Sequence, residues 1–349
     1  MKIITVLALA VLSCSPAIAA PVADASEQGS QALRAVLQDV VRAGPRLVAV
    51  GERGVVLLSD DNGQHWRQGA VPVRNTLTAT DFVNDTTGWA IGHGGVVLHS
   101  SDGGENWKIQ WDGQRLAEEE LKQASISGDE KRVAHAKQLV ADGADKPFLD
   151  IQFEDSSNGI VVGAYGIAMA TTDGGRNWHS IMGLLPNPEG LHLYAIARRG
   201  DLIVIAGERG LLLRSRDGGK SFESVDSPYQ GSFFTAAYLS DGRILLGGLR
   251  GNLFSSVDQA SSFTALPSLA PVSYTTIREV GGRVLMINQA GLLTQSRTEN
   301  FDPQIVQTPP GNPLFSVTEA ADGHLVGVGL VGAVRLDSNT STPALRTEP

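Results

Sequence analysis

The sequence predicts an all-β fold, a seven-bladed β-propeller with a helical insertion between blades 2 and 3. Three observations carry that expectation: a Gly-x-x-Gly segment recurs seven times, its spacing is nearly fixed, and 40 glycines and 16 prolines in 349 residues supply frequent reversals. The copies are Gly51-Glu52-Arg53-Gly54, Gly92-His93-Gly94-Gly95, Gly163-Ala164-Tyr165-Gly166, Gly207-Glu208-Arg209-Gly210, Gly248-Leu249-Arg250-Gly251, Asn288-Gln289-Ala290-Gly291 and Gly329-Leu330-Val331-Gly332. Their closing glycines lie 41, 71, 44, 41, 40 and 41 residues apart, so one interval holds an insertion of about 30 residues. A period of this length is one four-stranded blade.

Each unit can be read strand by strand. A short apolar run such as Trp89-Ala90-Ile91 or Ile160-Val161-Val162 precedes each Gly-x-x-Gly, and another precedes that, as at 78–82, 149–153 and 233–238. Five residues after the second glycine, the first five copies begin Ser/Thr-x-Asp-x-Gly-x-x-Trp/Phe, an Asp-box. These boxes hold Asp61 and Trp66, Asp102 and Trp107, Asp173 and Trp178, Asp217 and Phe222, and Asp258 and Phe263, with Ala260 replacing the last box's glycine. In such a corner the carboxylate caps backbone N–H groups of its own turn, glycine supplies a positive φ, and the aromatic pins the corner to apolar surface. The sixth copy, 296–301, has lost its Asp and Gly, and the seventh has no such turn after Leu336.

Five tandem Asp-boxes behind Gly-x-x-Gly strands resemble the photosystem II stability/assembly factor-like family of BNR-repeat propellers. The resemblance covers residues 36–338, nearly the whole chain after a leader. It implies a non-catalytic assembly role: in plastids and cyanobacteria members of this family help assemble a membrane protein complex. For a member from a non-photosynthetic bacterium it implies an exported protein near envelope transport machinery. Asp-boxes also occur in sialidases, other glycosidases and sorting receptors, so the repeat specifies fold more sharply than function.

The expected compartment follows from the first residues. Lys2, the apolar run 3–12 and the small residues Ala17-Ile18-Ala19 read as a secretory signal peptide spanning 1–19, which predicts a periplasmic protein. The single cysteine, Cys14, follows Val11-Leu12-Ser13 in an arrangement similar to a lipoprotein cleavage site, the alternative fate for this leader. Without Cys14 the chain has no cysteine, which excludes disulfides and thiolate chemistry. A formal net charge of −9 argues against nucleic acid as a partner, and no glycine loop stands in the strand-to-helix order that a nucleotide requires.

Propeller geometry sorts the loops between two faces. With strands A to D running outward from the axis, the B–C turns and D–A connections share one face, and the Asp-boxes, as C–D turns, occupy the other. The candidate partner-binding face therefore carries the middle residues of the Gly-x-x-Gly turns: Glu52, Arg53, His93, Tyr165, Glu208, Arg209 and Arg250, together with Gln289. Guanidinium groups there suit carboxylate or phosphate recognition. The alternative is that each arginine pairs with a neighbouring blade's glutamate, as Arg209 or Arg250 with Glu208. The insertion, 113–146, rises from this face as two charged helices over about 115–123 and 130–141, with Leu116, Leu121, Val133, Leu139 and Val140 as their apolar positions, and reads as a lid or docking hairpin. Connections 184–191, 227–234 and 308–313 decorate the same rim, with Tyr229, Phe233 and Phe234 as candidate contacts there and inner-strand packing the favoured role for both phenylalanines.

Enzyme readings are weaker. Tyr165 with Arg53, Arg209 and Arg250 superficially fits a sialidase, but these residues occupy one repeated loop position. Asp39, Asp81 and Asp150 are read as equivalent inner-strand positions, so repetition also accounts for a carboxylate pair. The seven histidines have no metal-ligand spacing, and neither a metal nor a cofactor is expected. The expected function is a binding or assembly factor that uses one propeller face to hold or deliver an envelope membrane-protein or transport-complex component. A glycan-binding or glycoside-hydrolase-like propeller is the alternative. The last blade shows three strands, 314–318, 325–329 and 333–336, so a closing strand is expected from 20–35, which also has helical propensity from 32 onward, or from the tail at 339–349.

Overall fold

The computed structural model describes residues 32–306, 308 and 313–336. The leader 1–19, Cys14, residues 20–31 and the tail 339–349 lie outside the described residues. The described strands form seven antiparallel sheets, six of four strands and one of three. The first strands are Leu37–Ala43, Leu77–Phe82, Phe148–Phe153, Leu193–Arg199, Phe233–Tyr238, Tyr274–Val280 and Leu314–Glu319. They touch one another in chain order, and Leu314–Glu319 lies against Leu37–Ala43.

Sequence chemistry separates the strands of a sheet. Second strands such as Gly159–Gly163 and Leu325–Gly329 are buried at every position, because a neighbouring sheet covers each face, and they read as unbroken apolar runs. First strands mix buried and partly exposed positions, as in Leu37–Ala43, because one face looks into a central channel. The core is accordingly spread in layers between adjacent sheets. One layer joins the last sheet to the first through Val328, Leu37, Val40 and Ala49. Another stacks Trp89 of the second sheet on Phe153 of the third, 3.5 Å between ring centroids and 5° from parallel.

Ala32–Arg34, read as helix-prone, makes a single 3-10 turn against the start of Gly332–Leu336, and Leu37–Ala43 follows as a strand. Closure of the last sheet by 20–31 or by the tail falls outside the described residues, which hold three strands there.

The insertion folds into two helices, α1 (Gly113–Ser127) and α2 (Glu130–Asp142), longer than the sequence indicates. Asp112 caps the first by accepting from the Arg115 amide, and Asp129 caps the second by accepting from the amides of Lys131 and Arg132. Leu116 and Leu139 are buried as expected, while Leu121 and Val133 are half-buried and Val140 is exposed. Burial comes instead from Ala117, Ala124, Ala136 and one charged residue, Glu120. The Glu120 carboxylate receives both Arg132 donors at 2.8 and 2.9 Å and the Ser180 hydroxyl, tying α1 to α2 and to the third sheet.

Candidate functional site

Both ends of the channel are built by repetition. On one face, every Gly-x-x-Gly turn is fastened twice. The amide after its first residue donates to the carbonyl just before the inner strand of the same sheet, as Glu52 N to Val36 O and Glu208 N to His192 O, both at 2.9 Å. Its last glycine abuts the connection leaving the outer strand: a Cβ at Gly54 would lie 2.0 Å from Val73 O, and one at Gly251 2.2 Å from Ala270 O. Glycine is therefore fixed by close approach as well as by its left-handed φ. The turns and the outer-to-inner connections consequently share one face, and α1 and α2 rise from it.

In the first five turns the residue before the closing glycine is left-handed. Gly94 fills that position in the second sheet, but Arg53 (φ 54°), Tyr165 (φ 56°), Arg209 (φ 54°) and Arg250 (φ 57°) fill it in the first, third, fourth and fifth. All four side chains are exposed, as is His93. Bulky residues avoid this conformation, which costs about 1–2 kcal/mol each.

The two candidate glutamates are oriented differently from the arginines. Glu52 Oε1 accepts from the Val36 amide and Glu208 Oε2 from the His192 amide, so each carboxylate caps its own connection. Pairing of Arg209 or Arg250 with Glu208 is not what forms: Arg209 meets Glu189 at 2.8 Å, both well exposed. Tyr165 sits edge-on to His192, 4.9 Å between centroids, with the Lys146 ammonium 4.9 Å above its ring.

A channel of about 710 Å³ opens beneath this face. Every inner strand carries a bulge near its start, and the extra residue points to the mouth: Gln38, Thr78, Leu149, Tyr194, Phe234, Thr275 and Phe315. Phe234 thus lines the channel, whereas Phe233 is core; the sequence favours packing for both and keeps both as candidate contacts. Tyr229 packs partly buried on the Phe233 cluster, its hydroxyl 3.4 Å from Leu249 O.

Deeper in the channel, side chains bridge inner strands that share no backbone ladder. Asp39 accepts from the Thr80 amide at 3.1 Å, Asp81 from Phe153 at 2.7 Å, and Asp150 from Ile196 at 2.7 Å. Asp39 also receives Ser316 and Arg278 of the seventh and sixth sheets. The three aspartates are not equivalent: Asp39 and Asp150 share a register, while Asp81 stands two residues further along, opposite Trp89. Burial, partly offset by the donated amides, pushes Asp81 up to about 6 and Asp150 up to about 7.

On the opposite face the five box aspartates make one bonding pattern. In the second sheet, the Ser100 hydroxyl donates to Asp102 at 2.8 Å and accepts from Gly104 at 2.9 Å, while Asp102 takes the Asn106 amide at 3.0 Å and its side chain at 2.8 Å. Asp173, Asp217 and Asp258 repeat it, and in Asp61 the second oxygen meets the His65 ring. Donation from the His65 amide and ring holds Asp61 down at about 2. Trp107 and Trp178 are buried behind their turns, and Trp66, Phe222 and Phe263 half-buried. Replacing Asp102 by alanine is expected to cost about 1–2 kcal/mol by orphaning the Asn106 backbone and side-chain amides and the Ser100 hydroxyl, read as a lowered denaturation midpoint. Among the described residues no group of three or more His, Cys, Asp or Glu is arranged to hold a metal ion.

The model of the photosynthesis system II assembly factor YCF48 family matches residues 58–147 and 129–265, more than half of the chain. The chain belongs to that family. A YCF48 relative, the photosystem II assembly lipoprotein of Synechococcus sp. (strain CC9902), is 31% identical over 119 residues, which is 34% of this chain and 36% of the relative. The chain thus matches about a third of that relative's length. Among solved structures, a YCF48 bound to a D1 peptide superposes with a TM-score of 0.64 at 15% identity, covering 88% of this chain and 95% of that one. A streptogramin B lyase superposes at 0.68 with 11% identity and the same coverage. At such identities the likeness to solved structures is one of fold, and it is propeller-like and all-β.

Proposed function

We propose that this chain is an exported, non-catalytic assembly factor that holds a segment of an envelope membrane protein on the face bearing Arg53, Arg209 and Arg250. The observation that carries the reading is the conformation of those residues: three arginines and Tyr165 stand at left-handed apices where glycine costs less. Strain kept at four equivalent exposed positions fits a recognition role for the side chains. Family membership supports an assembly role, and the D1 peptide on the related YCF48 structure supports a peptide segment as ligand. Export is supported by the leader at 1–19 and by the relative's being a lipoprotein, with the periplasm as the compartment we assign. We read the seven sheets as blades of one closed ring, 36–338, supported by the packing of Leu314–Glu319 on Leu37–Ala43. A glycan ligand has less support, because the box carboxylates are consumed within their own turns.

The test uses Arg53→Gly, Arg209→Gly and Arg250→Gly together. Relief of left-handed strain, offset by the greater freedom of the unfolded chain, is expected to leave stability unchanged or raised by about 0.5–1 kcal/mol per site. Affinity capture from detergent-solubilised envelopes should recover a membrane protein with the wild type and lose it with this variant. Equal capture by both forms, or capture by neither, overturns the reading.

A further inference from the structure

We propose that the face bearing the Gly-x-x-Gly turns is also a membrane-surface docking face, which lies on an anionic lipid bilayer. This goes beyond the reading above and stands whether or not a protein segment is held there.

The exposed apolar side chains are distributed unevenly. Of the twelve large ones among the described residues, nine sit on connections that leave this face, and the opposite face has only Val257. The densest group lies where the chain enters the fold: Leu33 is 45% exposed, and beside it, at the turn of the last sheet, Leu330 is 49% and Val331 55% exposed. The backbones are adjacent, since a Cβ at Gly332 would lie 2.8 Å from Leu33 O. Side chains held this open on closed turns meet water unless a surface covers them.

Charge supports a lipid surface as the occupant. The apolar groups share their face with the exposed apices of Arg53, Arg209 and Arg250; Glu52 and Glu208 within those turns point into backbone amides, while Arg209 meets Glu189 of the neighbouring connection. The opposite face carries the box aspartates and, on its other turns, Asp85, Asp155, Asp201, Asp241 and Asp322. A chain of net charge −9 is thereby polarised, and an anionic bilayer attracts the arginine face while repelling the other. Apolar groups beside cations on one side of a rigid body are the requirements of interfacial binding.

The test is co-sedimentation of the processed chain, beginning at Ala20, with vesicles of phosphatidylglycerol and phosphatidylethanolamine, and separately of phosphatidylcholine, at physiological salt. Wild type is expected to bind the anionic vesicles at least tenfold better than the neutral ones. Leu33→Ser, Leu330→Ser and Val331→Ser together should lower the partition coefficient at least tenfold with unchanged thermal melting, and Val257→Ser should leave it unchanged. Wild type that stays in the supernatant, or a triple variant that binds as well as wild type, overturns the proposal. Capture of a membrane protein in detergent is scored separately on the same variants. Loss of capture without any vesicle binding would assign the patch to a protein partner and overturn lipid docking, while leaving the function reading intact.

Discussion

Converting Asp81 and Asp150 together to asparagine is expected to flatten the dependence of stability on pH between about 4 and 7, and to stabilise the protein at pH 7.5 by about 2 kcal/mol. Both carboxyls titrate near 3.9 in the unfolded chain. In the folded chain enclosure by the sheets, ahead of the opposing amide bonds and Arg278, raises them to about 6 and 7, with Asp39 adding like-charge repulsion. Between these values the folded state retains protons that the unfolded state has released. The stability they contribute is fully present below pH 4 and is lost as pH rises through 6 and 7. Asparagine keeps the carbonyl that receives Phe153 or Ile196 but never ionises. Each side chain is only half-buried and looks into an open channel, so the expected effect is well below the full conversion of the two shifts. Denaturant midpoints at pH 4.5, 6 and 7.5 decide it: wild type should fall across the series while the variant stays level. A variant with the wild-type slope would place the proton linkage elsewhere.

Glu120→Ala is expected to cost about 3 kcal/mol and to free α1 and α2 from the third sheet without unfolding the sheets. The carboxylate is 1% exposed, and its removal leaves the Arg132 guanidinium and the Ser180 hydroxyl without their acceptor. The double change Glu120→Met with Arg132→Met removes the charge from both sides and should recover most of the loss. Hydrogen exchange gives the readout. Amides of 113–142 should exchange much faster in Glu120→Ala, while those of the neighbouring Gly159–Gly163 strand keep their protection. Unchanged helix protection would mean that apolar packing alone holds the hairpin.

Much of the architecture was legible because one repeat determines it. Gly-x-x-Gly, the apolar run before it and the Asp-box after it locate a second strand, a turn and a corner, and their chemistry is local. What escaped the sequence depends on neighbours in space. Glu52 and Glu208 look like free charges beside arginines, yet each meets an amide sixteen residues upstream. Glu120 reads as a solvated helix residue because nothing nearby in the chain announces Arg132 and Ser180 around it. Asp39, Asp81 and Asp150 look equivalent by strand position, but Ala79 holds the register of Asp39 and Asp150 in the second sheet, and Asp81 stands two residues beyond it. The strained apices carried a weak signal: Gly94 stands where Arg53, Arg209 and Arg250 stand, which marks a position that backbone geometry alone would leave to glycine.

Each apex is anchored by its own turn through a backbone bond to the carbonyl before the inner strand, so its side chain can change without disturbing the turn beside it. The face is in effect a display of separately addressable positions around a mouth, some occupied by charge, one by an aromatic ring, and others blank at Gly94 and Ala290. Substitutions there would alter what is recognised one coordinate at a time, and paralogues sharing this scaffold could diverge in partner simply by permuting which positions are filled.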